Sequence, residues 1–287
     1  MSPLTRTESR GELNLRGTRL VWGARTYVMG VVNVTPDSFS GDGFADAGSA
    51  AAHALAQRDG GADLLDFGAE STRPGHEPIS EDIEISRLLP ALERFRSVDA
   101  TTLVSIDTYK PAVFQRARAA GGDILNSIWG IEGELLEAAA ETGVPVILMH
   151  NKKRAEYVNV VDEVLSYLSK CAELAVRCGI PSERVIVDPG IGFGKTADHN
   201  LALLAALPRL VALGFPTLLG TSRKSTIGKL TGKPPTQRIF GTAATVALAA
   251  AAGIDVVRVH DVAPARDVVR VIDAIVRGWR PGDWQSQ

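Results

Sequence analysis

Residues 28–43 read Val28-Met29-Gly30-Val31-Val32-Asn33-Val34-Thr35-Pro36-Asp37-Ser38-Phe39-Ser40-Gly41-Asp42-Gly43, and the order of residue types within them decides the fold. A β-branched apolar run of strand length ends on an amide and passes at once into a polar, glycine-containing turn. An Ala-rich stretch of helical period follows. The same unit recurs along the chain. Its apolar runs are Val28–Asn33, Asp63–Phe67, Leu103–Ile106, Asp123–Asn126, Val146–Met149, Val185–Val187, Thr217–Leu219 and Val256–Val259, each followed by a helical pattern. Eight parallel strands with crossover helices predict an α/β protein of the (β/α)8 TIM barrel type, since a doubly wound sheet commonly uses about five to seven strands.

The chain has 287 residues, enough for one barrel or two average domains. No linker rich in Pro, Gly or Ser divides the series, so a single barrel is expected over residues 28–280. Residues 1–27 precede the first unit. The alternation in Glu12-Leu13-Asn14-Leu15-Arg16-Gly17-Thr18-Arg19-Leu20-Val21-Trp22 predicts a short β-hairpin that plugs or flanks the N-terminal end of the barrel. Residues 281–287 are expected to fray, and residues 1–10, polar and arginine-containing, are expected to be dispensable.

Apolar residues make up 45% and charged residues 22%, the mixture of a soluble globular protein. With 31 basic against 33 acidic side chains the net charge is -2, which argues against nucleic acid or an anionic membrane surface as a partner. An anionic substrate must therefore be held by a local cluster. There is no apolar run of about 18 residues and no signal-peptide core. Cys171 and Cys178, seven apart in a helical pattern, would lie about 10 Å apart along one helix face, beyond disulfide reach. A cytoplasmic location is expected.

The chemically capable residues gather at the C-terminal ends of the strand candidates, the end where this fold builds its sites. Asp107, Asn126 and Asp188 place carboxylates and an amide around one rim. Buried carboxylates need donors, either an N–H-rich heterocycle or a cation. Lys224, Arg73, Arg258 and His260 supply a set suited to phosphate or pyrophosphate. Singly, each of these clusters could be a helix cap or a turn; eight of them on one face favour a site. Three decoys are set aside. Pro189-Gly190-Ile191-Gly192-Phe193-Gly194-Lys195-Thr196 nearly matches an NTPase phosphate loop, but proline stands at the first glycine position. The same glycines fail the dinucleotide fingerprint. His53 and His199 lie inside helical patterns, far from any second metal ligand, and read as packing or surface residues.

Asn33-Val34-Thr35-Pro36-Asp37-Ser38-Phe39-Ser40 and Glu70-Ser71-Thr72-Arg73-Pro74-Gly75, with the Asp188 loop, Ser222-Arg223-Lys224 and Arg258-Val259-His260, resemble the pterin-binding family, and within it the dihydropteroate synthases. The resemblance runs from about Val28 to the last helix. It implies a (β/α)8 barrel, usually a homodimer, that condenses 6-hydroxymethyl-7,8-dihydropterin diphosphate with p-aminobenzoate to give dihydropteroate and pyrophosphate. It assigns Asp107, Asn126, Asp188 and Lys224 to the pterin. Asn33, Arg258 and His260 fall to the diphosphate, with Mg2+ assisting through Asn33 and Arg73 on a closing loop. Phe39, Thr72, Pro74 and Ser225 fall around p-aminobenzoate, where sulfonamides compete. Arg258, His260, Lys224 and Asp107 are the expected catalytic residues. The chain departs from the usual pattern at Ser127, at Gly41-Asp42-Gly43 and at Asn151-Lys152-Lys153. Two other readings share the barrel: a pterin-dependent methyltransferase, which has no use for a diphosphate cluster, and a pterin-binding paralogue without catalysis.

Overall fold

The apolar runs form strands, and the Ala- and Leu-rich stretches between them form helices. The computed structural model describes residues 10–35, 43–44, 46–70, 77–130, 133–282 and 284. An antiparallel hairpin, β1 (Glu12–Leu15) and β2 (Thr18–Val21), comes first. Then follow β3 (Tyr27–Asn33), α1 (Ala47–Asp59), β4 (Leu64–Gly68), α2 (Glu81–Arg96), β5 (Leu103–Asp107), α3 (Pro111–Ala119), β6 (Ile124–Ser127) and α4 (Gly133–Thr142). The second half comprises β7 (Val146–Met149), α5 (Val160–Arg177), β8 (Val185–Asp188), α6 (Ala197–Ala205), α7 (Leu207–Val211), β9 (Leu218–Leu219), α8 (Ser225–Thr231), α9 (Ile239–Ala252), β10 (Val256–Val259) and α10 (Val262–Val276).

The eight later strands lie parallel in the order β8-β7-β6-β5-β4-β3-β10-β9. The circle is completed where Val187 bridges to Thr217 beside β9, its amide donating to the Pro216 carbonyl at 2.9 Å. Strand alternation then sorts the side chains. Val28, Leu65, Val104, Leu125, Val146, Val187, Leu219 and Val257 face the helices in one large apolar core. Tyr27, Met29, Leu64, Leu103, Ile124, Ile147, Ile186, Leu218 and Val256 form a second, inner cluster together with Leu13, Leu20 and Trp22 of the hairpin segment. The hairpin is therefore a plug. Trp22 sits edge-on to Tyr27 and donates from Nε1 to the Glu183 carbonyl at 2.8 Å.

One expectation about the N-terminus needs correcting. Arg10 pairs with buried Asp255 at 2.6 Å and donates to the Gly253 carbonyl, so the segment 1–10 is not without structural contacts. Deleting it would strip a buried carboxylate of its cation, a loss that typically costs several kcal/mol. Of the tail expected to fray, residues 283 and 285–287 lie outside the described residues. Cys171, within α5, and Cys178, which caps it, are both free thiols. Among the described residues no helix is long and apolar enough to cross a membrane.

Candidate active site

Two residues above the apolar floor, the inward positions change character. Strand parity aims Asp66, Ser105, Asn126, Asp188 and Arg258 into the barrel, with Asn33, Gly68 and Asp107 one step higher. Gly68 leaves open the space beside Asp107, since a Cβ there would lie 3.4 Å from the Asp107 Cβ. Asp66, which the sequence reading passed over, is the hub. Its Oδ2 accepts from Arg258 Nε at 2.6 Å, and its two oxygens lie 3.2 Å from Asn126 Nδ2. Arg258 Nη2 also reaches Asp107 Oδ2 at 3.4 Å. The structure thus interleaves the carboxylates and the cations that the sequence separates into two poles.

On the other side of the rim, Asp188 Oδ1 accepts from the Gly190 amide at 2.7 Å, and Lys224 Nζ donates to the Ile191 carbonyl. The Lys224 ammonium also lies 4.5 Å from the centre of the Phe193 ring. Burial pushes the Asp107 carboxyl up to about 7, helped by the Asp66 charge and opposed by Arg258. Burial also raises Asp188, against the pull of Lys224, and lowers Lys224 to about 8 despite Asp188. Arg258 stays protonated, because Asp66 and Asp107 outweigh its own desolvation. One buried acceptor, Asp107 Oδ1, has no hydrogen-bond partner among the described residues. A site of this kind accepts N–H groups on one edge of a planar ligand and offers an ammonium and a guanidinium beside them.

Of the other candidate residues, His260 follows β10 directly, and its Nδ1 lies 2.9 Å from Ser222 Oγ. Ser225 is the first residue of α8 and is exposed. Asn33 ends β3 at the mouth, its backbone carbonyl accepting from the Phe44 amide at 2.9 Å. Phe39, Thr72, Arg73 and Pro74, with Asp42, lie outside the described residues. Ser127 is buried, and by alternation it points away from the side that Asn126 lines.

The decoys have structural roles. Lys195 Nζ contacts the carbonyls of His150, Gly190 and Phe193 at 3.2, 3.0 and 3.0 Å and His150 Nδ1 at 3.0 Å. Burial lowers its ammonium to about 7, against the pull of Asp188. Its ammonium is thus engaged by the protein's own carbonyls. His150 is itself packed against Tyr167 and Tyr157, and burial pushes it down to about 4. His53 stacks on Phe44 and meets Gln57 at 2.8 Å, and His199 closes a capping box with Thr196. Asp66 was detectable in principle. It is the one charged residue in the otherwise apolar run Leu64-Leu65-Asp66-Phe67, at the same parity as inward-facing Leu64.

Three comparisons bear on this geometry. A family model described as pterin binding enzyme matches residues 29–260. A dihydropteroate synthase of Clostridium beijerinckii is 45% identical over 259 residues, which is 89% of this chain and 96% of that one. Among solved structures, Xanthomonas albilineans dihydropteroate synthase with 4-aminobenzoic acid superposes with a TM-score of 0.85 at 42% identity, covering 92% of this chain and 97% of that one. The same Xanthomonas enzyme in complex with 7,8-dihydropteroate gives a TM-score of 0.82 at 39% identity, covering 92% and 98%.

Proposed function

The chain belongs to the pterin-binding enzyme family, and on that footing we infer that it catalyses the dihydropteroate synthase reaction. It condenses 6-hydroxymethyl-7,8-dihydropterin diphosphate with p-aminobenzoate to give dihydropteroate and pyrophosphate. The observation that carries this reading is the buried Asp107 Oδ1, without a hydrogen-bond partner among the described residues, on the rim that also carries Asn126 and Asp188. A pterin ring presents N–H groups to such acceptors and a ring acceptor to Lys224.

The reaction asks little acid–base work of the protein. The C–O bond between the pterin methylene and the diphosphate breaks with its electron pair going to the diphosphate. The p-aminobenzoate nitrogen, nucleophilic as the free amine, forms the new C–N bond and sheds a proton. The protein's task is to stabilise growing negative charge on the leaving group and positive charge on the pterin. Arg258 and His260 act on the former with Arg73, and the Asp107 and Asp188 carboxylates act on the latter. Ser225, Phe39, Thr72 and Pro74 surround p-aminobenzoate, and sulfonamides compete there.

Mg2+ fits this scheme as a companion of the diphosphate. No group of three or more His, Cys, Asp or Glu gathers among the described residues to cage a metal. Mg2+ needs no such cage, because it takes phosphate oxygens and water with one or two protein oxygens, and the Asn33 amide is an oxygen donor at the mouth. When bound it neutralises diphosphate charge. A homodimer and a cytoplasmic location complete the reading. Exposed Leu248 on α9 and Val271 and Ile275 on the adjacent α10 offer an apolar face for a second copy, and the free thiols suit a reducing compartment. Pyrophosphate release from protein, pterin diphosphate, Mg2+ and p-aminobenzoate tests the activity. Tight pterin binding without release would leave a non-catalytic binder.

A further inference from the structure

We propose that Ser222 is a positioning residue that fixes the tautomer of His260, holding the imidazole proton on Nε2 so that Nε2–H is the donor presented to the leaving diphosphate. The proposal rests on the function inferred above and adds a residue to it.

Ser222 Oγ lies 3.1 Å from the His260 backbone nitrogen and 2.9 Å from His260 Nδ1. The backbone N–H can only donate, so it occupies one lone pair of the hydroxyl. The contact with Nδ1 can run in either direction. If Nδ1–H donated, Oγ would accept twice and its own proton would need another acceptor. Ser222 is 4% exposed, and its only hydrogen-bond partners among the described residues are these two nitrogens. A buried hydroxyl proton left without an acceptor costs about 1–3 kcal/mol. If Oγ–H donates to Nδ1, every group is satisfied. Nδ1 is then the acceptor, and Nε2 carries the proton.

The frame around this pair is densely hydrogen-bonded. The next residues along each loop form a second rung, with Arg223 Nε and Nη2 donating to Asp261 at 3.0 and 2.6 Å. Arg223 has a φ of +57°, a conformation that costs a non-glycine residue energy unless its surroundings hold it. Here the Asp261 fork, the Thr242 Oγ1 acceptor for its amide at 3.1 Å and the Arg238 donor to its carbonyl at 2.8 Å do so. Behind His260, Gln57 Nε2 reaches the His260 carbonyl at 3.3 Å. Two loops 38 residues apart are thus locked in register, and the serine hydroxyl is aimed at one ring nitrogen.

The test is nitrogen NMR on protein carrying 15N-labelled histidine, with the His260 signals assigned by their loss in His260→Gln. The expected result is an unprotonated Nδ1 and a protonated Nε2 in the resting protein; a protonated Nδ1 overturns the proposal. Ser222→Ala should give a mixture of tautomers and lower kcat for pyrophosphate release roughly 10- to 100-fold, with pterin affinity within about twofold of the parent. An unchanged tautomer in Ser222→Ala also overturns it. Ser222→Thr, which restores the hydroxyl, should return the Nε2–H form. Because the tautomer is read without substrate, a parent protein that releases no pyrophosphate would sink the functional reading while leaving this one measurable.

Discussion

Arg258 Nε donates to Asp66 Oδ2 at 2.6 Å inside the barrel, joining β10 to β4 across the intervening β3. The carboxylate is fully buried, while the guanidinium side chain keeps 23% of its surface. The bond therefore anchors the inner end of Arg258 and leaves its outer end free to reach Asp107 or a ligand. Asp66 also holds Asn126, so one side chain orients two others.

Asp66→Asn keeps the shape but removes the charge that holds Arg258. Breaking a buried ion pair from one side is costly because the other charge stays behind, so a stability loss of about 2–4 kcal/mol is expected by urea unfolding. Pyrophosphate release should fall at least about tenfold in kcat/KM, since a donor aimed at developing charge loses its orientation. Full activity in Asp66→Asn would mean that Arg258 is positioned by something else.

Asp107 sets stability against binding. Its carboxyl titrates near 7 in the folded chain, above the ordinary aspartate value of 3.8. Below both values it is neutral in folded and unfolded forms. Between them the unfolded chain ionises first, so the contribution of this group to stability falls as pH rises and levels off above about 7. Asp107→Asn, which cannot ionise, should be more stable than the parent by roughly 1–3 kcal/mol at pH 8, with the advantage vanishing near pH 4. The same variant should bind pterin at least about tenfold more weakly, because an acceptor has become a donor. Melting curves at the two pH values and calorimetric titration check both halves.

Pterin affinity should follow a bell in pH. The ring N–H groups favour ionised Asp107, so affinity rises as pH passes upward through about 7. Lys224 must be charged to donate fully, so affinity falls again above about 8. Asp107→Asn should flatten the acid limb and Lys224→Met the alkaline one. A parent profile that is flat from pH 6 to 9 would remove both groups from the ring-binding role.

The barrel was legible because each strand ends at a change from apolar to polar residues, and that change is local. Val146–Met149 and Val256–Val259 match the observed strands end for end. Asp107, Asn126, Asp188 and Lys224 could be placed on one rim because strand ends in this fold share a face. What stayed hidden depends on contacts far apart in sequence. The pairing of Arg258 with Asp66 spans 192 residues, and that of Ser222 with His260 spans 38. Arg10 illustrates the same limit, since its polar flanks say nothing of the buried Asp255 it meets.

The lysine of the sequence that mimics a phosphate loop is held by that loop's own backbone. Lys195 Nζ sits among three backbone carbonyls and His150 Nδ1, all at 3.0–3.2 Å. The loop that surrounds it can come this close only because residue 190 is glycine, as a Cβ there would lie 2.0 Å from the His150 carbonyl oxygen. Gly190 also has a φ of +68°, where other residues are strained. The same loop carries the Gly190 amide that holds Asp188 and the Ile191 carbonyl that accepts from Lys224. Lys195→Met preserves length and packing but takes the ammonium donor from three crowded carbonyls, of which, among the described residues, only that of Gly190 keeps another donor, the Phe193 amide at 3.1 Å. Stability should fall by about 1–3 kcal/mol, as expected when part-buried acceptors lose their donor. Pterin affinity should weaken with it, because Asp188 and Lys224 both take their positions from this loop. Arginine should not substitute, since its planar fork cannot point into a cage built around a single nitrogen. A Lys195→Met protein with the parent's melting temperature and pterin affinity would show that the loop holds its shape without the lysine.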